Sequence, residues 1–391
     1  MRIGMFSDSY TPYISGVVRS IETLRQGVER AGHEVYVFGP RYPAIPPEND
    51  EERVIRFPSF AAPLYPEFRI PVPNRRDAEA AAARLGLDLL HAHTPFVMGR
   101  VALQVARALN LPLCFTFHTR YDVYLRHYAR LAGDVLAPLL NVYVRRFCNQ
   151  CQMVIVPTRA IARRVLELGV RTRVEVVPSG VPVARFAEGD ATTRARVRGQ
   201  LGIDPESIVL LYAGRLSREK NLPLLLEAFR QVAGAAPDAI LVLVGDGPLR
   251  EDLARKAAAW GLTGRVRFAG AVPPERIAAY YQAADVYVFP SVTETQGLAV
   301  IEAMAAGLPV VAVGSEVLEE IVRDGREGLV TAESPAALAA ACQRLLLDPD
   351  MRARMGKEAQ ATARAYDSDV VLARMLRLYE ELITSRRAAP A

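Results

Sequence analysis

Short apolar runs alternate with amphipathic helical stretches from one end of this chain to the other, and that alternation constrains its fold more than any single residue. MRIGMFSDSY (1–10) reads as a first strand running into the loop TPYISG (11–16), with a helix from about Val17 to Ala31 stopped by Gly32. HEVYVFGP (33–40) follows, then a Pro-rich stretch (41–75) that reads as irregular. After it come an Ala-rich helix (77–85), the strand DLLHAH (88–93), a helix near 97–109 and the strands LCFTFH (113–118), MVIVPT and VEVVPSGV (174–181), with a helix at 159–168 between the last two. PVARFAEGD (182–190) reads as a linker, and the alternation resumes near 205 through IVLLYA, AILVLV, VRFAG and VYVF. Strand–helix alternation of this kind predicts parallel, doubly wound sheets. A chain of 391 residues exceeds one ordinary core, so two domains are expected, 1–183 and 184–365, with a C-terminal helix (366–391) packing back on the first.

The most informative residues lie in SVTETQGLAVIEAMAAGLPVVA (291–312). Here Glu294 and Glu302, with seven residues between them, flank a strand-to-helix turn. VYVFPS (286–291) reads as a buried strand leaving into a loop. Gly297 opens a helix whose apolar positions Val300, Ile301, Met304 and Ala305 recur at helical spacing until Gly307 and Pro309. In parallel α/β sheets ligands bind beyond the carboxyl ends of the strands, and carboxylates there suit sugar hydroxyls. A solvated loop acid and an ordinary helix residue would give the same letters. A second cluster favours the site: GRLSREKN (214–221) places Arg215 and Lys220 between a strand end and a helix start, where two cations and free backbone N–H groups make a diphosphate site. Arg215 alone is as consistent with a surface charge.

In the first half, Gly16 stands where loop meets helix, and it lets backbone approach a phosphate or simply caps the helix. Asp8 and His118 end two of the strands and are expected to face the same crevice. His118 also has an ordinary reading as a satisfied structural histidine. HAH, with His91 and His93, lacks a carboxylate at ligand spacing. The CxxC of Cys148 and Cys151 has no second Cys/His pair, so neither is read as a metal site. No G-x-G-x-x-G follows a strand, and Pro248 after GDG (245–247) disfavours a nicotinamide dehydrogenase.

These motifs, SGVVR, HTRYDVY (118–124), GRLSREKN, VGDGP (244–248) and TETQG…EAMAAGLPVVA, fall in the order seen in glycosyltransferase family 4. The chain resembles that family over nearly its whole length. The first-domain details SDSYTPYISGVVR, HAHTPF and FHTRYDVY are most similar to the diacylglycerol glucosyltransferase branch. The resemblance implies an α/β fold of GT-B architecture, two doubly wound Rossmann-like domains facing each other across a cleft. It also implies transfer of a hexose, with retention of configuration, from a UDP-sugar to a membrane lipid, diacylglycerol or a glycosyl-diacylglycerol, with no cofactor and no metal ion. On this chain, Arg215 and Lys220 would bind the donor diphosphate with Gly16 opposite. Glu302 would hold the ribose, Glu294 the transferred sugar beside the Thr295, Gln296, Gly297 and Leu298 backbone, and Val272 would lie near the uracil. His118 would contact the sugar and position the acceptor hydroxyl, with Asp8 and Tyr10 on the acceptor side. His118, Arg215, Lys220 and Glu294 are thus the expected catalytic set. Many relatives carry an aromatic residue where this chain has Gln296, which bears on the choice of donor sugar.

Charge supports a membrane surface as partner. Residues 1–180 hold 23 Arg, no Lys and 16 acidic residues, and residues 100–173 hold 12 Arg against Asp122, Asp134 and Glu167. An anionic bilayer is the natural partner of such a stretch. RHYARLAGDVLAPLLNVYVRRF (126–147), with Arg126, Arg130, Arg145 and Arg146, reads as an interfacial helix or as a core helix with solvated arginines. Nucleic acid is disfavoured for want of any binding motif. No run reaches the ~18 apolar residues of a membrane span, and the opening leads straight into a strand, so a cytoplasmic, peripherally bound protein is expected. Two rivals stand: the same transfer to a soluble acceptor such as a sugar phosphate or inositol phosphate, and a sugar-binding protein without chemistry.

Overall fold

The structure is a computed structural model that describes residues 1–43, 52–63, 65–123 and 133–388. It divides into two compact units, Met1–Gly180 with Ser368–Ala391, and Val181–Asp367.

The first unit is built on a seven-stranded parallel sheet of β1 (Arg2–Phe6), β2 (Glu34–Pro40), β3 (Val54–Phe57), β6 (Leu89–Ala92), β7 (Leu113–Thr116), β8 (Met153–Val156) and β9 (Arg173–Val176), in the order β3-β2-β1-β6-β7-β8-β9. Its central strands are covered on both faces, which is why they read as unbroken apolar runs instead of alternating ones. The described residues of 41–75 are more regular than its prolines suggest. It supplies the edge strand β3 and an antiparallel hairpin of β4 (Ser59–Ala62) and β5 (Tyr65–Pro71). Proline is tolerated at edges and strand ends, where no ladder donor is lost. The Gly16–Arg30 helix is capped by the Ser15 side chain, which accepts from Val18 N, and buries Val18, Ile21 and Val28. Against the same core pack Val371, Met375, Leu378 and Tyr379 of the C-terminal helix Ser368–Ala388. Residues from the far end of the sequence thereby complete the first core.

The second unit carries a six-stranded parallel sheet of β10 (Ile208–Ala213), β11 (Ala239–Val244), β12 (Val266–Gly270), β13 (Val286–Phe289), β14 (Val310–Val313) and β15 (Gly328–Thr331), in the order β12-β11-β10-β13-β14-β15. Chain order reverses between β10 and β13, which makes their carboxyl ends the switch point of the sheet. The segment read as a linker is part of this unit. Val183–Ala187 forms a short helix, and Phe186 is buried with its ring 5.6 Å from that of Tyr281.

Candidate functional site

At the switch point of the second unit, two loops are held by different means. The loop after β10 is fixed from beneath. A Cβ at Gly245 would stand 1.9 Å from the Gly214 carbonyl oxygen, and Gly245 has φ +126°. The turns after β10 and β11 therefore pack backbone to backbone, and Leu216 N donates to Asp246 O at 2.9 Å. Arg218–Lys220 then makes a single 3-10 turn, and Asn221, at φ 54°, turns the chain into the Leu222–Ala235 helix. The loop after β13 runs to Gly297, whose φ of +81° lets the Leu298–Ala305 helix start without a side-chain cap. Its first-turn N–H groups point where an anion binds well.

Across these loops Lys220 Nζ lies 2.6 Å from Glu294 Oε1, and Ser291 Oγ donates to the same oxygen at 2.7 Å. The Thr293 hydroxyl donates to the Glu219 carbonyl at 3.2 Å, and Ser291 Oγ lies 3.3 Å from the same oxygen. The two loops are thus tied by side chains as well as by their strands. Glu302 lies in the second turn of the helix, 2% exposed, and its Oε2 accepts from Tyr281 Oη at 2.8 Å. Tyr212 Oη donates to Arg215 O at 3.1 Å and Tyr287 Oη to Ala213 O at 3.2 Å. Burial pushes the Tyr212 and Tyr287 phenols well up, so both stay donors. Arg215 is half-buried at the head of the β10 loop. Val272, after β12, and Thr295 and Leu298 are half-buried, and Gln296 and Gly297 are buried. Sequence reasoning missed Ser291, Thr293 and Tyr281. The hydroxyl-rich SVTET was a signal for two of them.

In the first unit the loops after β1, β6 and β7 gather a second polar cluster. Asp8 is buried, with Oδ1 accepting from Met98 N at 2.7 Å at the start of the Val97–Ala108 helix. Its backbone N–H donates to Thr94 Oγ1 at 2.9 Å, while its Oδ2 has no partner among the described residues. Burial raises the Asp8 carboxyl to about 6. His93 Nδ1 and His118 Nε2 are 3.0 Å apart. Burial lowers His118 to about 4 and takes His93 well down, so both rings are uncharged at neutral pH. Gly16 is exposed, and nothing stands within 4 Å of where its Cβ would be, so packing within the unit does not demand glycine there. Tyr10 corrects the expectation that it lines an acceptor side. It is fully buried in the core, its hydroxyl donating to Glu22 and accepting from Arg25 Nη1 at 2.7 Å.

The remaining candidates are structural. His91 is buried, bonded to Tyr379 Oη and Thr116 Oγ1 at 2.7 Å each. All four cysteines are free and buried, and burial pushes the Cys148 thiol up to about 12. Among the described residues no group of three or more His, Cys, Asp or Glu is placed to hold a metal ion, and no helix is long and apolar enough to cross a membrane. Asp122 of HTRYDVY pairs with Arg164. Arg126 and Arg130 lie outside the described residues. Arg145 and Arg146 are in the last turn of the Gly133–Cys148 helix, on which Leu136 and Leu139 are exposed.

The family model described as Glycosyltransferase Family 4 matches residues 14–185, and that described as Glycosyl transferases group 1 matches residues 193–362. The chain is 31% identical over 391 residues to an alpha-monoglucosyldiacylglycerol synthase of Acholeplasma laidlawii, covering 98% of both chains. It is 33% identical over 331 residues to a D-inositol 3-phosphate glycosyltransferase of Acidothermus cellulolyticus, covering 80% of this chain and 71% of the other. Among solved structures, Anabaena Alr3699/HepE in complex with UDP and glucose aligns with a TM-score of 0.80 at 20% identity, covering 97% of this chain and all of the other.

Proposed function

As this chain belongs to glycosyltransferase family 4 and has the GT-B fold, we propose that it moves a hexose, glucose in the first instance, from a UDP-sugar to diacylglycerol or a glycosyl-diacylglycerol, with retention of configuration. The observation that carries the donor half is the Lys220–Glu294 contact at the switch point. It sets a cation for phosphate and a carboxylate for sugar hydroxyls side by side, at the place where parallel sheets bind nucleotides. The acceptor half rests on the full-length similarity to a glycolipid synthase.

In this reading Arg215, Lys220 and the N–H groups opening the Leu298–Ala305 helix take up the charge that develops on the departing diphosphate. Preorganised donors of this kind contribute several kcal/mol. Charge compensation then comes from the chain itself, with no metal ion. Glu294, held through Oε1 by Lys220 and Ser291, keeps Oε2 for the sugar, and Glu302 takes the ribose. Uracil stacks near Val272. Asp8 and His118 hold the acceptor hydroxyl, and Gly16 offers uncovered backbone to an anion. Attack proceeds on the face the diphosphate leaves, and a leaving-group oxygen accepts the alcohol's proton as the new C–O bond forms and the old one breaks. Arg145 and Arg146, with exposed Leu136 and Leu139, seat the protein on the cytoplasmic face of an anionic bilayer.

The test is a matrix of UDP-glucose, UDP-galactose and UDP-N-acetylglucosamine against dispersed diacylglycerol, monoglucosyldiacylglycerol and inositol phosphate. Products are read by mass and their anomeric configuration by NMR. An α-glucolipid supports the reading. Turnover confined to the phosphorylated acceptor, or a β-linked product, overturns it.

A further inference from the structure

The peptide group that joins Arg215 to Leu216 is held at both of its edges. On one side Leu216 N donates to Asp246 O at 2.9 Å, and on the other Arg215 O accepts from Ser217 N at 3.0 Å and from Tyr212 Oη at 3.1 Å. Just before it, Gly214 N donates to Val244 O at 2.9 Å. A peptide group is planar, so the chain turns only about the φ and ψ between such groups. With the backbone pinned on both sides of Arg215, the direction in which its side chain leaves is set.

Most of these partners are main-chain atoms, which other side chains would leave in place. Tyr212 is a choice of residue. It is fully buried, and the charges of Lys220, Glu294 and Glu219 all act on its phenol, which therefore lies beneath the side chains gathered at the switch point. A core position needs only the ring. A buried hydroxyl is kept where it has a bond to make. The loop leaves room for that bond: a Cβ at Gly214 would stand 2.8 Å from Tyr212 Oη and 3.2 Å from its Cζ, so any larger residue would close the gap through which the phenol reaches the carbonyl.

We propose that Tyr212 is a positioning residue for the donor diphosphate, one that touches no substrate and acts through Arg215, whose carbonyl it holds so that the guanidinium is presented beyond the end of β10. This inference rests on the donor reading of Arg215 above and adds the residue that holds it from below.

Tyr212→Phe keeps the ring and its volume, and Arg215 O keeps Ser217 N, so the variant is expected to fold with Tm lowered by only a few degrees. Its UDP Kd by calorimetry is expected to rise about 3- to 10-fold. Uridine, which has no phosphate, should bind within about twofold of wild type in an NMR titration, a split that a merely structural role would not give. In an Arg215→Ala background the same change should alter the UDP Kd by less than about twofold, because the group it positions is gone. Replacing Tyr212 by 4-aminophenylalanine, which keeps a donor at the end of the ring, should return UDP binding to within about twofold of wild type. If Tyr212→Phe leaves the UDP Kd unchanged, weakens uridine as much as UDP, or has the same effect with Arg215→Ala as without it, Tyr212 is an ordinary core residue and the donor reading stands. If Arg215→Ala itself leaves UDP binding unchanged, the donor reading of that loop fails and the positioning role with it.

Discussion

Lys220 and Glu294, 74 residues apart in sequence, meet at 2.6 Å across the two loops that leave β10 and β13. Both side chains are mostly shielded, at 19% and 16% exposed, so the contact is firmer than a surface ion pair and remains open to a ligand.

Lys220→Ala is expected to weaken UDP binding by about 10- to 100-fold, roughly 1.4–3 kcal/mol. Lys220→Arg is expected to restore part of it. Calorimetry on Lys220→Ala, Glu294→Ala and the double variant should give a coupling of about 0.5–3 kcal/mol. Strict additivity would mean that the two side chains do not act together.

Tyr281→Phe removes the phenol that donates to a buried Glu302 carboxylate. A loss of about 1–3 kcal/mol in unfolding free energy is expected from the under-satisfied acid. Glu302→Gln should cost less stability but more nucleoside affinity. Urea denaturation and UDP titration separate the two.

Gly245→Ala places a methyl group 1.9 Å from the Gly214 carbonyl oxygen at a φ that alanine avoids. The turn after β10 must move, and with it the loop that presents Lys220. Destabilisation of about 3 kcal/mol or more is expected, seen as a lowered Tm and lost UDP binding. A variant with unchanged Tm would show that the two turns are not packed as described.

Asp8 makes stability depend on pH. Its carboxyl titrates at about 6 in the fold against 3.8 for the ordinary group. The folded state therefore holds its proton more tightly than the unfolded chain. That contribution is complete below pH 3.8 and is lost as pH rises through 6, amounting to about 3 kcal/mol. Asp8→Asn should flatten urea midpoints between pH 4 and 7 and raise them at pH 7, yet reduce glycosyl transfer. Identical pH profiles for the two proteins would remove Asp8 as the cause.

Replacing Arg145 and Arg146 by Glu, or Leu139 by Asp, is expected to release the protein from anionic vesicles in sedimentation, as raising the salt should do. UDP affinity should be unchanged. Retention of the arginine variant on the vesicles would place the membrane contact elsewhere.

Much of the fold was legible because its signals are local. Buried parallel strands read as apolar runs such as AILVLV, and the motif around Gly297 announced its strand–turn–helix by spacing alone. The same locality hid other features. The prolines of 41–75 masked β3 and a hairpin, because a residue poor in ladder interiors is acceptable at edges. PVARFAEGD read as a linker because nothing in its letters says that Phe186 meets Tyr281. Tyr10 looked like a site residue because it follows a strand end, whereas its ring is turned into the core.

By itself, the sequence determined the two parallel sheets, the loops that carry Arg215, Lys220, Glu294 and Glu302, and the likeness to family 4, since periodicity, turn residues and motif order are properties of short windows. Only the tertiary structure decided that Lys220 and Ser291 share one oxygen of Glu294, that Tyr281 closes on Glu302, and that the C-terminal helix completes the first core. Those contacts join residues far apart along the chain, and strand order and packing set their separation in space.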